Sequence, residues 1–423
     1  MVRTIRFHEL GGPEVLRFED LPVRPPGPGE VRIRVDAIGL NRSEVNFRRG
    51  HYLEQPVLPA GLGTEAAGVV LEVGPDVTRW SPGDEVSVVP AFSQNDYPVY
   101  AEQAVVPAAA LVARPPGMDA VTGAAIWMPY VTVYGMVAEV VRVRPGDHVV
   151  ITAASNSIGM AALQVVRQLG AVPIATTAQS AQRDALLAAG AADVLVTAEL
   201  TAPGALAGAI RTATGGRGAE LVLDAVGGPL VEELVRACAP GATVIVHGGL
   251  SGEPTPLPGG RYAPVWLRRY TVFEVTGDPA ALRRAEHFVR AGLATGAFAP
   301  IIDRVFDSTM SPRHTATSTP PTAPPANPYS ASTRPDLGGR CVRQRRPPVT
   351  ELHRRQVCSA ENLPVVQLGN NKPANHAQNL PTVQLGNNRP ANHAQNLPTV
   401  QLGNNRSRQV GTKRTIWWSC WGR

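Results

Sequence analysis

The chain of 423 residues is long enough for two or three domains, and with 43% hydrophobic but only 5% aromatic residues any core must be built mainly from aliphatic side chains. The formal charge of +6 hints at nucleic acid until it is divided along the chain: residues 308–423 carry 15 Lys and Arg against 3 Asp and Glu, leaving 25 basic and 31 acidic residues in 1–307. The body is therefore mildly acidic, which argues against a nucleic-acid partner, and the basic excess belongs to the tail. Only Cys238 precedes residue 308, so no disulfide framework is possible there. The opening MVRTIRFHEL has no apolar targeting region and no stretch reaches the roughly 18 apolar residues of a membrane span. A cytoplasmic enzyme with no membrane partner is expected.

Residues 1–121 read as an all-β domain, with short alternating strands such as Glu30 to Ala37 and Ala67 to Val73 between PPGPGE and GPD turns. From Asp147 to Gly170, DHVVITAASNSIGMAALQVVRQLG reads as a buried strand at Val149 to Ile151, a turn of small residues at Ala153 to Ser157, and a helix. Ile158, Ala162, Val165, Val166 and Leu169 recur at helical spacing, and Gly170 ends the pattern. Small side chains at such a turn let backbone N–H groups approach a pyrophosphate, and the helix N-terminus adds partial positive charge. The strict G-x-G-x-x-G is replaced by Ala153-x-x-Asn156-x-x-Gly159, so the reading draws its weight from the strands and helices downstream of Gly170.

Strand patterns continue at Val172 to Thr177, Asp193 to Thr197, Glu220 to Val226, Thr243 to Gly248 and Tyr270 to Val275. Helical patterns at Ala181 to Ala189, Ala205 to Ala213 and Leu230 to Ala239 lie between them, the last taking in Cys238. Six strands so arranged fill a doubly wound parallel sheet, a Rossmann domain over 122–297. After a helix at Ala280 to Leu293, a short strand at Ile301 to Phe306 is expected to return the chain to the first domain through residues 298–307. From Ser308 the composition turns to Ser, Thr, Pro, Ala and Arg, followed by a 17-residue tandem repeat beginning at Asn362, Asn379 and Asn396. Units so rich in Asn, Gln and Pro offer too little apolar surface to stack, and a disordered tail over 308–423 is expected.

With GPEVLRFEDLP, a V-R-I-R-V strand, GTEAAGVV, WSPGDEV, YAE, DAVGG at Asp224 to Gly228 and CAPGATVIVHGGLSG at Cys238 to Gly252, residues 1–307 resemble the medium-chain dehydrogenase/reductase superfamily, in its quinone oxidoreductase and enoyl reductase branch. The resemblance implies an α/β fold in which a GroES-like β-rich catalytic domain accompanies the Rossmann domain. It also implies an NAD(P)H-dependent oxidoreductase and a homodimer joined through the edge strand near Tyr270 to Val275.

The superfamily's alcohol dehydrogenases hold a catalytic zinc through Cys and His. Here Asn41 stands in the thiolate position in GLNRSE, Thr64 replaces the His in GTE, and no cysteine lies between Met1 and Ala237, so no metal is expected. Glu65 remains, a carboxylate expected to pair with a backbone group or an Arg. Without a Lewis acid an alcohol or ketone is hard to polarise, whereas hydride delivery to a conjugated enone or quinone needs mainly orientation and a proton. The expected reaction is NADPH-dependent reduction of the activated C=C of an enone or enoyl substrate, or of a quinone. The alternatives are a trans-acting enoyl reductase on polyketide or fatty acyl thioesters, and a catalytically impaired NADPH-binding protein.

By position in the turn, pyrophosphate binding falls to Ala154, Ser155, Asn156, Ser157 and Ile158, where Asn and Ser in place of glycine are tolerable if φ is negative. The second strand ends in Thr176-Thr177-Ala178-Gln179 without an acid. Hydroxyls at Thr176 and Thr177 with Arg183 nearby suit a 2′-phosphate, favouring NADPH over NADH, though Arg183 is equally read as a solvated helix charge. At the nicotinamide end the resemblance points to Asn41, to Thr132 in MPYVTVYG, and to the loop Gly248, Gly249, Leu250 and Ser251. It points also to Tyr52, in RRGHY, either as proton donor or as a ring packing the cleft while water is the acid; Asn41 and Tyr52 are the expected catalytic residues. His51 is expected to be exposed, and Ser43 and Glu44 to begin a helix. Trp127, Met128 and Tyr130 read as pocket wall or core, His247 as a satisfied core histidine, and Asp224 as the anchor of the VGG loop.

Family members follow the strand ending at Phe306 with a helix and a last strand, and this chain does not, which leaves the β domain without an edge strand. Back-translating Ser308 to Thr319 and moving the frame by one base permits Leu-Asp-Asp-Val-Pro-Glu-Ala-His-Arg-Tyr-Leu-Asp, the helix the family leads one to expect. A frameshift near codon 308 is the corresponding prediction. The coding DNA checks it, and codons incompatible with the alternate frame exclude it.

Overall fold

The computed structural model describes residues 1–260, 263–307 and 365–367. An antiparallel ribbon of β1 (Val2–Arg6) and β2 (Arg17–Leu21) opens the chain. β3 (Glu30–Gly39), β4 (Ala66–Val73), β5 (Glu85–Val88), β6 (Gln103–Pro107) and β7 (Leu111–Ala113) then build the sheet of the first domain. Alternation in VRIRV sends Val31, Ile33 and Val35 into the core, each at most 1% exposed, while the arginines between them face outward. β3 is the axis of this sheet: β4 pairs with it along one edge and β6 covers Glu30 to Arg34 on the other. Its end feeds directly into α1 (Arg42–Arg48).

Helices α2 (Ala120–Gly123) and α3 (Trp127–Tyr134) lead into the second domain, α3 continuing as a wide helical turn through Val140. The expectation that no stretch is long and apolar enough for a membrane span is corrected at Ala120–Val140, yet 78% of its most apolar window is buried within the protein, so its hydrophobicity serves the core. β8 (His148–Ile151), α4 (Ser157–Gln168), β9 (Val172–Thr177), α5 (Arg183–Ala188), β10 (Asp193–Val196), α6 (Ala205–Ala213), β11 (Ala219–Asp224), α7 (Leu230–Arg236), β12 (Cys238–Val246) and β13 (Trp266–Arg269) follow. The strand order β10-β9-β8-β11-β12-β13, all parallel, is that of a doubly wound dinucleotide-binding sheet. Every residue of β8 is buried, as a central parallel strand covered on both faces requires.

Three local expectations are corrected. The sixth strand is Trp266–Arg269, paired with Thr243 to Val246, and not Tyr270 to Val275. Tyr270, Val272 and Val275 are buried around the short helix α8 (Phe273–Thr276), and an apolar run of that length reads the same for a strand as for a buried helical turn. Cys238 opens β12 rather than ending a helix: the Ala219 amide donates to the Ala237 carbonyl at 3.0 Å, which commits the next residue to the parallel ladder Ala219↔Cys238. The return strand is β14 (Val305–Asp307), shorter and later than Ile301 to Phe306.

β14 does rejoin the first domain's sheet, but through β15 (Val365–Gln367), which lies between β14 and β3. The edge expected to be vacant is thus filled from the tail itself. The expected disorder concerns 308–364 and 368–423, which lie outside the described residues.

The last long helix, α9 (Pro279–Ala294), packs onto α3 through aromatic rings. Phe298 is 2% exposed and stacks on Tyr130 with ring centroids 5.1 Å apart. Its ring occupies the space Gly292 leaves open, where a Cβ would come within 2.0 Å of it. Phe298→Ala is expected to destabilise the chain by about 3–5 kcal/mol through the cavity it leaves, measured by urea unfolding, whereas the exposed Leu257, at 84%, tolerates the same change.

Candidate functional site

The ends of β8, β9, β11 and β12 converge on one edge of the nucleotide sheet. Asn156 caps α4, its φ of −77° extended and its Oδ1 accepting from Gly159 N at 2.8 Å. The negative φ meets the condition set for a side chain at that position. The strain sits instead at Ala153, whose φ of +46° lies in the left-handed region and costs on the order of 1–3 kcal/mol for a residue with a Cβ. Gly159 is required by contact: a Cβ there would lie 2.5 Å from the Ala154 carbonyl oxygen. Ala154 and Ser155 are buried while Ser157 and Ile158 are half-buried at the helix start. This short turn aims the first N–H groups of a 12-residue helix outward from the sheet.

Ala154 N donates to Thr176 O at 2.9 Å, which joins the turn to the end of β9. Thr176 and Thr177 are both 2% exposed; the Thr177 hydroxyl donates to Gln182 and accepts from Gln179 N. Arg183 is drawn onto the Val194 carbonyl at 2.8 Å, a third role beyond phosphate ligand or solvated charge. Across the sheet, Asp224 is fully buried and accepts from Thr152 Oγ1 at 2.8 Å, Val226 N at 3.0 Å and Gly227 N at 3.1 Å. It holds the VGG loop, as expected, and burial raises its carboxyl above the ordinary range against those hydrogen bonds. Gly248 passes so close to Ala225 that a Cβ would meet its carbonyl oxygen at 2.3 Å. Leu250 N and Ser251 N donate to Ala225 O and Val226 O, so Gly248, Gly249, Leu250 and Ser251 form a loop docked on the end of β11. His247 lies just past β12, and burial lowers its ring to about 4, which keeps it neutral. The expectation of a satisfied core histidine is corrected: the residue is only half-buried, lies beyond the end of the strand, and its ring makes no hydrogen bond to another of the described residues.

A buried polar cluster lies in the first domain at the end of β3 and is tied to α3 through Glu65. Asn41, 7% exposed, donates from its backbone N to Glu44 Oε2 at 2.9 Å and from Nδ2 to Glu65 Oε2 at 3.1 Å. Thr64 Oγ1 donates to Glu44 Oε1 at 3.3 Å. Glu65 Oε1 accepts from Met128 N at 2.9 Å, and Thr132 Oγ1 donates to Met128 O at 2.5 Å. Asn41, Glu65, Met128 and Thr132 are thereby joined in one chain of hydrogen bonds that crosses from β4 to α3. Glu65 pairs with a backbone group, as expected, but with an Asn and no Arg. Trp127, Met128 and Tyr130 are core residues. Tyr52 is half-buried against the first domain's core, and burial together with the charges of Glu44 and Glu54 raises its phenol well above the ordinary range. His51 is exposed and Ser43 lies in the first turn of α1, as expected.

Glu44 is what the sequence reading missed. A helix-start glutamate ordinarily faces solvent, yet this one is 4% exposed, because the first turn of α1 is held against Thr64 and lies beside Tyr100. The small cavity behind Asn41 is lined by Glu44, Arg48, Leu62 and Tyr100 among others, and Arg48 Nε is buried there without a hydrogen-bond partner among the described residues. Among the described residues no group of three or more His, Cys, Asp or Glu is placed to hold a metal ion.

Comparison with known proteins places this architecture. The alcohol dehydrogenase GroES-like domain family matches residues 27–151, and the zinc-binding dehydrogenase family matches 157–291. A quinone oxidoreductase of Pseudomonas aeruginosa is 32% identical over 255 residues, 60% of this chain and 76% of that protein. The chain belongs to the medium-chain dehydrogenase/reductase superfamily, in its quinone oxidoreductase-like branch. It is an NAD(P)H-dependent oxidoreductase. Another relative in the superfamily, the 2-haloacrylate reductase of a Burkholderia species, is 30% identical over 262 residues, 61% of this chain and 76% of that protein. The crystal structure of Escherichia coli quinone oxidoreductase complexed with NADPH superposes with a TM-score of 0.67 at 26% identity, covering 74% of this chain and 94% of that one.

The two buried carboxylates make stability depend on pH. Burial raises Glu65 to about 7 and Glu44 to about 8, the latter also repelled by Glu65. The folded state therefore holds protons that the unfolded state has released between about pH 4.5 and 8, and these groups' contribution to stability falls as pH rises through that window. Glu44→Gln, which cannot ionise, is expected to flatten the decline in melting temperature between pH 5 and 8. Parallel curves for the variant and the unaltered chain would refute this.

Proposed function

We propose that this chain reduces the activated C=C bond of an enone or enoyl substrate, or a quinone, with NADPH and without zinc. The observation that carries the proposal is the use to which Asn41 and Thr64 are put. At the positions where a zinc enzyme of the superfamily has ligands, this chain has an amide and a hydroxyl, and both donate to buried glutamates. That donor set does not fit a zinc ion, which wants thiolate, imidazole or free carboxylate around one point.

The nucleotide edge fits NADPH. The α4 N-terminus with Ala154, Ser155, Asn156, Ser157 and Ile158 would hold the pyrophosphate. The segment Thr176 to Gln179 has no acid to repel a 2′-phosphate, and the NADPH complex of the E. coli relative supports the same choice, although the Thr177 hydroxyl already donates to Gln182. Arg183 is the weaker member of that group, since it already serves Val194. Asn41, Thr132 and the loop Gly248 to Ser251 would fix the nicotinamide end. Bound NADPH supplies a hydride. The proton that the reduced product needs would come from Tyr52, whose phenol is protonated at neutral pH and held so by burial, or from water beside it. We assign the active form as a cytoplasmic homodimer formed along β13, the edge strand whose Trp266 is 74% exposed.

NADPH oxidation against a panel of enones, quinones and enoyl thioesters, with metal analysis of the same sample, tests the reading. Turnover of quinones or short enones that survives chelation is expected, with NADPH preferred over NADH. Tyr52→Phe should lower turnover by about 10²–10⁴ if the phenol is the acid, and by only a few-fold if water is. A stoichiometric zinc needed for turnover, or no calorimetric binding of either coenzyme, would overturn the proposal. Selective turnover of enoyl thioesters would move it to the acyl-carrier reading.

A further inference from the structure

The free edge of β3 is covered in two parts. β6 pairs with Glu30 to Arg34, and β4 occupies the opposite edge as far as Ile38. Ala37 and Ile38 pair with β4 and also with β15, in the register Val365↔Gly39, Val366↔Ile38 and Gln367↔Ala37, antiparallel. β15 therefore continues the line of β6 along the same edge. Ala37 and Ile38 are 0% and 1% exposed, and backbone N–H and C=O groups at so buried a position need partners. On its far side β15 takes Val305↔Val365, Phe306↔Val366 and Asp307↔Gln367 in parallel. Among the described residues, β14 pairs with the sheet only through β15.

The strand comes from the first tandem repeat, N-L-P-V-V-Q-L-G, in which Pro364 precedes and Gly369 follows a β-branched pair, the composition of a short strand with a stop at each end. The same segment recurs as T-V-Q at Thr382 to Gln384 and Thr399 to Gln401. Between Asp307 and Val365 lie 57 residues, ample chain for a return to the same sheet, since a loop of that length adds only slowly to the closure entropy. We propose that the tandem repeat is a strand donor: its first copy completes the catalytic-domain sheet by augmenting the β3 edge of the same chain, and the later copies carry nearly the same sequence. The augmentation works by main-chain hydrogen bonds, so it tolerates the Val-to-Thr change between copies. Its place matters because β3 ends at Gly39, two residues before Asn41. The segment clamps the strand end that positions the buried polar cluster.

Hydrogen exchange on the full chain, read by mass spectrometry, tests this without reference to activity. In the unaltered chain, amides of 365–367 should exchange at least about ten-fold more slowly than random-coil amides of the same sequence; random-coil rates overturn the proposal. Combining Val366→Pro, Val383→Pro and Val400→Pro removes the strand at 365–367 and puts a proline at the matching position of both later copies of the sequence. That variant should raise exchange at 37–39 by about ten-fold or more while β8 stays protected, and Val366→Pro alone should raise it less. Unchanged exchange at 37–39 in the triple variant overturns the proposal, as does protection in the unaltered chain that disappears on dilution, since the strand would then come from a second copy. If the triple variant fails to fold, the comparison of the unaltered chain with random-coil rates decides.

Discussion

The junction of the two domains rests on one buried carboxylate. Glu65 sits at the start of β4, 1% exposed, and its two oxygens take one hydrogen bond from the Asn41 side chain and one from the backbone of Met128 at the start of α3. A carboxylate so placed must be satisfied at both oxygens or become costly, so it fixes Asn41 and the first turn of α3 with respect to each other. Thr132 belongs to that turn's continuation, and its hydroxyl returns to the Met128 carbonyl. The end of β3, the start of β4 and α3 are thus held together by polar atoms in a region from which water is excluded. Further ties, Thr276 to the Pro90 carbonyl and Arg290 to that of Ala113, keep the helices of the nucleotide domain against the first domain.

With that junction in place, each half of the site is shaped by what its own sheet can offer. The nucleotide half is made of backbone: turns with small residues, glycines at 159 and 248 where a Cβ would strike a carbonyl, and an aspartate whose work is to hold a loop. The other half is made of side chains whose ionisation is suppressed by burial, Glu44, Glu65 and Tyr52. Such a division suits hydride transfer, in which the coenzyme needs a fixed cradle and the substrate needs orientation and a proton.

The glutamates show where reading a sequence stops. Glu44 in GLNRSE and Glu65 in GTE are visible as acids, and a first-turn glutamate and a lone carboxylate have ordinary surface roles. Their burial comes from the first turn of α1 meeting Thr64 and Glu65 just before β4, a contact between segments about twenty residues apart that no periodicity encodes. Cys238 and the run Tyr270 to Val275 mislead for a related reason: each is apolar enough for two structures, and pairing with β11 or packing of α8 decides between them. Repeats poor in apolar surface give no sign that three of their residues join a sheet, since a strand added at an edge draws on main-chain bonds and needs little hydrophobicity of its own.

By itself the sequence determined the parallel nucleotide sheet, its strand-turn-helix at 148–168, the role of Asp224 and the family, because these rest on local pattern: alternation, helical spacing and small residues at tight turns. Only the tertiary structure decided that Asn41 is anchored between two buried glutamates, that Arg183 serves a carbonyl, and that the outermost strand of the nucleotide sheet is Trp266–Arg269. Burial and hydrogen-bond partnership are properties of what lies across space from a residue, and the chain's own order does not carry them.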